Sequence, residues 1–336
     1  MLRTLLTVVA LTMGFFLPSS CLATDKTLIT LGLGDPLESE MGAMATRFKQ
    51  IVETRSKGAV EVQIFPAGRL GDETEMIQNI RSGNLDMAIV GVANTVPFVK
   101  KLGILTMPYV FDDLYDVVRA TTGPAHDLLN EYALREGGFR VLAWTYTGYR
   151  YLSNSRHPIK RLADMKGLTF RVPQSAVLLA TYTAWGANPI PLSWAETFAA
   201  MQQGVVDGQC YGYVTFLAAK FNEVQKYISE VHYTYQLQPV ILSCKLYDRL
   251  SPELRDIIVW AGRDAQEYCL AFQLVESEKA KRKLIETGIQ IDTLVDESLW
   301  KEVAKETVWP QMTAFVGGTD AINAFLRAIG KEPRFE

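Results

Sequence analysis

Two arginines stand where a charge is hard to accommodate. Arg150 closes the segment Trp144-Thr-Tyr146-Thr-Gly148-Tyr149-Arg150, and Arg171 interrupts the strand-like run Leu168-Thr-Phe-Arg171-Val-Pro173-Gln174, whose proline restricts the backbone beside it. A guanidinium presents a planar fork of N–H donors that grips a carboxylate or sulfonate through two parallel hydrogen bonds. Anion recognition is therefore the chemistry these positions offer. The competing role for either is an ion pair with a neighbouring Asp or Glu. Tyr211 follows Val206-Asp-Gly-Gln209-Cys210, where Asp207-Gly208 reads as a tight turn able to aim the next side chains into a crevice. For Tyr211 the alternative is core packing.

Catalytic signatures are missing. The chain holds no G-x-S-x-G elbow, no H-E-x-x-H, no P-loop and no complete G-x-G-x-x-G; Gly32-Leu33-Gly34 lacks the third glycine. The only histidines, His126, His157 and His232, are far apart and lack metal-ligand spacing. Neither a metal nor a cofactor is expected, and binding is favoured over turnover. Beyond the first residues the cysteines are Cys210, Cys244 and Cys269, without a C-x-x-C. Their odd number leaves at least one thiol unpaired and the pairing of the other two open.

These residues must be held by alternating strands and helices. Thr27 to Leu33 reads as a strand, and Glu38 to Ser56 places Met41, Met44, Phe48 and Ile51 at helical spacing. Val60 to Phe65 alternates like a half-buried strand, stopped by Pro66-Ala-Gly68. Asp72 is placed to cap a helix that Gly83 ends, with Glu73 and Glu75 in its first turn. Leu85 to Val92 reads as a buried strand. A second series follows: strands at Phe139 to Trp144, Tyr149 to Ser153 and Leu168 to Val172, a helix at Ser175 to Trp185, another at Ala195 to Gln203, and a short strand or loop from Asp207 to Tyr213. Pro252 opens a helix running to Glu286, long enough to brace two lobes. The pattern implies α/β architecture with mostly parallel sheets.

With 336 residues the chain exceeds one ordinary hydrophobic core, so two lobes are expected. There is no Ser/Gly linker; the lobes must be tied by several crossings, which suits a hinge. The formal net charge of −3 argues against a nucleic-acid partner, since phosphate binding needs a basic footprint. Arg3, the uncharged run Leu5 to Leu17 and the small residues around Cys21-Leu22-Ala23 read as an export signal cleaved near Ala23. Lipidation of Cys21 is the alternative, disfavoured by Pro18 three positions before it. A soluble, exported, monomeric protein in the periplasm is expected.

Five segments carry a family likeness: Phe65-Pro-Ala-Gly-Arg-Leu-Gly-Asp-Glu73, Gly83-Asn-Leu-Asp86, Ala163-Asp-Met-Lys-Gly-Leu168, Arg171-Val-Pro173 and Val206-Asp-Gly-Gln209. In this order and at these separations the chain resembles the DctP-type binding subunits of tripartite ATP-independent periplasmic (TRAP) transporters over nearly its whole exported length. The resemblance implies a two-lobed periplasmic binding protein fold with a ligand cleft between the lobes and a long helix spanning both. Residues 24–147 with 237–276 would form lobe I, and 148–236 with 277–336 lobe II. It implies that Arg171 salt-bridges a small organic anion in the closed cleft, that Arg150 adds a second contact, and that Gln174 lies beside the anion. Tyr211, Tyr146 and Gln209 join the candidate set, followed by Glu38, Gly91 and Gln236. Delivery to a small DctQ-like and a large DctM-like membrane subunit is implied as well; a sensor subunit presenting ligand to a membrane receptor is the alternative. Where several relatives read D-G-Q-E-N-P, this chain reads Asp207-Gly-Gln-Cys-Tyr211-Gly212, and Gly91 stands where sialic-acid binders carry a glutamate. Those departures speak against sialic acid and leave dicarboxylates, oxo or hydroxy acids, aromatic acids and sulfonates such as isethionate open.

Overall fold

The computed structural model describes residues 26–335, so the export signal and Cys21 lie outside the described residues. The first lobe contains β1 (Thr27–Leu33), α1 (Glu40–Arg55), β2 (Val60–Phe65), α2 (Glu73–Ser82), β3 (Met87–Ile89), α3 (Val92–Thr95), α4 (Leu114–Thr121), α5 (Gly123–Tyr132) and β4 (Phe139–Tyr149). The second contains β5 (Tyr151–Asn154), β6 (Thr169–Val172), α6 (Ala176–Ala184), β7 (Asn188–Pro191), α7 (Thr197–Gln202), β8 (Gly208–Tyr211), α8 (Tyr213–Ala218) and β9 (Tyr227–Glu230). The chain returns through β10 (Tyr235–Ser243), α9 (Cys244–Arg249) and α10 (Pro252–Glu286), then ends in β11 (Gln290–Thr293), α11 (Glu297–Val303), α12 (Trp309–Thr313) and α13 (Gly318–Ala328).

One sheet has the order β2-β1-β3-β10-β4 and the other β11-β9-β5-β8-β6-β7. In the first, β1 runs parallel to β2 and β3, while β10 pairs antiparallel with β3 and β4. Each sheet is thus mixed, with its apolar faces covered by helices. The chain passes between sheets at Arg150, where β4 gives way to β5, and again between β9 and β10. The two passages lie side by side, since the Arg150 amide donates to the Thr234 carbonyl at 3.1 Å.

Helix α10 is the third tie. Ile258, Ala261, Ala265 and Cys269 pack into the first lobe with α1, while Ala280 and Leu284 pack with Phe216 and Phe221 of the second. Thirty-five residues span about 52 Å, enough to reach both cores. The C-terminal segment departs from the expected division of 277–336 to lobe II. Trp300 and Ala304 do pack in the second lobe, but Val308, Trp309, Ile322 and Phe325 insert between Val117, Leu129 and Phe139 of the first. The apolar stripe of α13 is satisfied there, so the chain crosses back a fourth time.

Two local differences matter for the site. The expected strand Leu85 to Val92 is only Met87–Ile89, because Gly91 turns the chain into α3. The strand expected at 139–144 continues as β4 to Tyr149, and the one expected at 149–153 starts later, as β5, in the other sheet. Pairing of Tyr146 with Leu237 and of Tyr149 with Tyr235 sets two residues against one, a bulge in which Gly148 takes φ +81°.

Candidate ligand-binding site

Glu73 is the first residue of α2, and the reason it sits there is local. Asp72 caps the helix by accepting from the Glu75 amide at 2.9 Å, while the Glu75 carboxylate accepts from the Asp72 amide at 3.0 Å. This capping box directs the buried Glu73 side chain into the gap between the lobes. Its Oε2 accepts from the Gly91 amide at 2.9 Å and from Asn94 Nδ2. Its Oε1 has no protein partner among the described residues. Burial raises the Glu73 carboxyl, opposed by those two donors and by the charges of Arg171 and Arg150.

Both arginines face Glu73 from the second lobe and the crossing, each only 2% exposed. Neither forms an ion pair among the described residues. Arg150 is satisfied by protein: Nε donates to Cys210 Sγ at 3.2 Å, Nη2 to the Cys210 carbonyl at 3.0 Å, and Nη1 to Gln236 Oε1. Arg171 differs. Its Nε donates to the Leu192 carbonyl at 3.0 Å, while Nη1 and Nη2 have no acceptor among the described residues. Its guanidinium lies 5.6 Å from the centre of the Trp194 ring, and Trp194 packs against Tyr211 with ring centres 4.8 Å apart and planes tilted by 37°. Burial first, then the neighbouring Arg150, pushes Arg171 down to about 10, which leaves it cationic at neutral pH. A buried cation with two free donor nitrogens is costly until an anion meets it.

The gap bounded by Glu73, Asn94, Arg150, Arg171, Trp194 and Tyr211 holds about 20 Å³ of free space, on the scale of one water. Gly91 and Gln236 line it too. A second chamber of about 220 Å³ adjoins it, with Glu73 and Trp194 common to both.

Four candidate residues lie elsewhere. Tyr146 points into the first-lobe core, its hydroxyl 2.6 Å from Thr121 Oγ1 and accepting from Gln266 Nε2 at 3.1 Å. Gln209 is two residues, roughly 7 Å, further down β8 than Tyr211, and is buried with its Nε2 donating to Ser153 Oγ at 3.3 Å. Gln174 is exposed because the chain turns at Pro173 to let Ser175 cap α6. Glu38 is exposed as well; the buried carboxyls nearby are Asp35 and Glu40. Glu73, Asn94 and Trp194 were not among the sequence candidates. Glu73 did carry a signal, since it ends the first of the five family segments, but its place in a first helical turn already explained an acidic residue. Cys210, Cys244 and Cys269 are all free thiols.

Two α/β lobes tied by several crossings, with a buried and unpaired guanidinium in the cleft, define a bilobed solute-binding protein. The chain belongs to the bacterial extracellular solute-binding protein family 7, DctP, whose family model matches residues 34–314. It is 30% identical over 258 residues to the 2,3-diketo-L-gulonate-binding periplasmic protein YiaO of Escherichia coli, an alignment covering 77% of this chain and 78% of that one. The sugar acid binding protein DctPAm from Advenella mimigardefordensis, solved with galactonate, superposes with a TM-score of 0.86 at 27% identity, covering 91% and 98% of the two chains. A TRAP periplasmic solute-binding protein from Polaromonas, solved with D-erythronate, gives 0.84 at 28% identity over 89% and 98%. Family and structural neighbours are ligand-binding transport proteins, not enzymes. No helix among the described residues is long and apolar enough to cross a membrane.

Proposed function

We propose that this protein captures a small organic anion, a carboxylate or sulfonate, by a salt bridge to Arg171 in the cleft, and delivers it in the periplasm to TRAP membrane subunits. One observation carries the reading: Arg171 is buried between the lobes, and both its terminal nitrogens are free of protein acceptors among the described residues. Arg150 supplies positive potential from a fixed position, and the free Glu73 Oε1 offers an acceptor for a hydroxyl beside the anionic group. The galactonate and D-erythronate bound by solved neighbours carry that pairing of carboxylate and hydroxyl.

Micromolar capture corresponds to about −8 kcal/mol. Two charge-assisted hydrogen bonds at about 1.5–3 kcal/mol each supply part, and exclusion of water on closure strengthens them. Isothermal titration of the purified protein with D-erythronate, galactonate, lactate and isethionate tests the reading. At least one should bind saturably, Arg171→Ala should abolish that binding, and Arg171→Lys should weaken it at least about tenfold because the fork geometry is lost. Undiminished affinity in Arg171→Lys would remove Arg171 from this role.

A further inference from the structure

We infer that the cleft selects a monocarboxylate with an apolar, ring-sized body, the body lying in the chamber beside the arginine gap; this rests on the anion-capture reading above. The arginine gap alone has about 20 Å³ of free space, so any ligand larger than its anionic group must extend out of it. The neighbouring chamber of about 220 Å³, which shares Glu73 and Trp194 as walls with the gap, is the space we assign to it. For scale, an apolar cavity of about 150 Å³ accepts benzene.

The chamber walls set the chemistry. Its second-lobe wall is aromatic, with Phe221 at 5.3 Å from Trp194 and 6.3 Å from Phe198, ring centre to ring centre. The facing first-lobe wall is backbone and methyl, from Ala67, Gly68 and Gly71. Among the described lining side chains only the Trp194 indole can donate a hydrogen bond and only Asp72 and Glu73 can accept one, so most hydroxyls of a sugar-acid chain would exchange water for aromatic and methyl surface. Among the described residues the only charged ones lining it are Asp72 and Glu73, both acidic, and they repel a second carboxylate. Polyol acids and dicarboxylates are therefore disfavoured, and a 2-hydroxy acid bearing an aryl group satisfies Arg171, Glu73 Oε1 and the aromatic wall together.

The test is a matched titration of the purified protein with lactate, mandelate, 3-phenyllactate, succinate and galactonate. The aryl acids should bind at least about tenfold tighter than lactate, with succinate and galactonate no tighter than lactate. Succinate or galactonate binding as tightly as the aryl acids overturns the inference while leaving anion capture standing. Failure of every acid to bind overturns the capture reading itself. Phe198→Glu should weaken mandelate binding at least about tenfold, and wild-type affinity in that variant places the body elsewhere. Should circular dichroism show Phe198→Glu unfolded, Ala195→Trp, which fills the chamber without adding charge, is read by the same criterion.

Discussion

Arg150 and Arg171 are the same residue type at the same depth, yet their surroundings divide the labour. Arg150 has Nε, Nη1 and Nη2 all engaged with Cys210 and Gln236, so it clamps the passage from β4 to β5 onto β8 and β10. Arg171 is anchored only through Nε, which fixes the plane of the guanidinium and leaves its outer edge for a guest. The two therefore respond differently to truncation. Arg150→Ala should lower the unfolding free energy by about 2–4 kcal/mol, because the Cys210 carbonyl and Gln236 lose a charged donor and a cavity remains. Equilibrium urea denaturation measures this, and an unchanged midpoint would show that Arg150 is no strut.

Among the elements, the corner between β8 and α8 brings the two lobes into close backbone contact. Gly212 caps α8, and a Cβ there would collide with the Thr147 carbonyl of β4 in the opposite lobe. Only glycine allows this approach, which seats Tyr211 and Thr215 against Asp35 and Glu40. Gly212→Ala should cost about 1–3 kcal/mol, read by urea denaturation, as α8 is pushed from β4. Full stability in the variant would mean that the corner has slack. Helix α2 works by simpler means: its capping box holds Glu73 at the cleft, and that cap is readable from Asp72-Glu-Thr-Glu75 alone.

At the scale of the whole molecule, two buried carboxyls lie where the lobes meet. Asp35 Oδ2 accepts from Tyr211 at 3.0 Å and from Gln238 at 3.2 Å, and Glu40 Oε2 accepts from Thr215 at 2.6 Å, while Oδ1 and Oε1 have no partner among the described residues. Burial, chiefly, raises Asp35 to about 7, with Glu73 adding repulsion; burial likewise raises Glu40 to about 8. Groups raised in the folded state lend stability that is complete below the ordinary carboxyl range and lost as pH rises through those values. Stability should therefore fall by a few kcal/mol between pH 5 and 8.5, and Asp35→Asn with Glu40→Gln should flatten that slope. His232, raised by Glu297, acts in the same direction, and His126, lowered by burial, in the opposite one. The difference between wild-type and variant slopes in urea titrations is thus the readout; parallel curves would refute the titration of this pair.

Local signals were sufficient wherever a segment's own residues settle its conformation. The limits of β1, β2 and α10, the cap of α2 and the αL glycine that ends it are all written in short stretches of chain. So was the oddity of Arg171, a charge inside an apolar strand. What lies across from each residue was not legible. Tyr146 turned toward Thr121 and Gln266 because a bulge opposite Gln236 sets which face of β4 it occupies. The meeting of Glu73 with Arg171, of Asp35 with Tyr211, and of Ala67 to Gly71 with Phe198 and Phe221 joins residues about a hundred or more positions apart. Periodicity and capping act within a few residues, whereas a cleft exists only once two separately folded lobes are tied side by side, so the backbone plan was in the sequence and the shape of the site was left to packing.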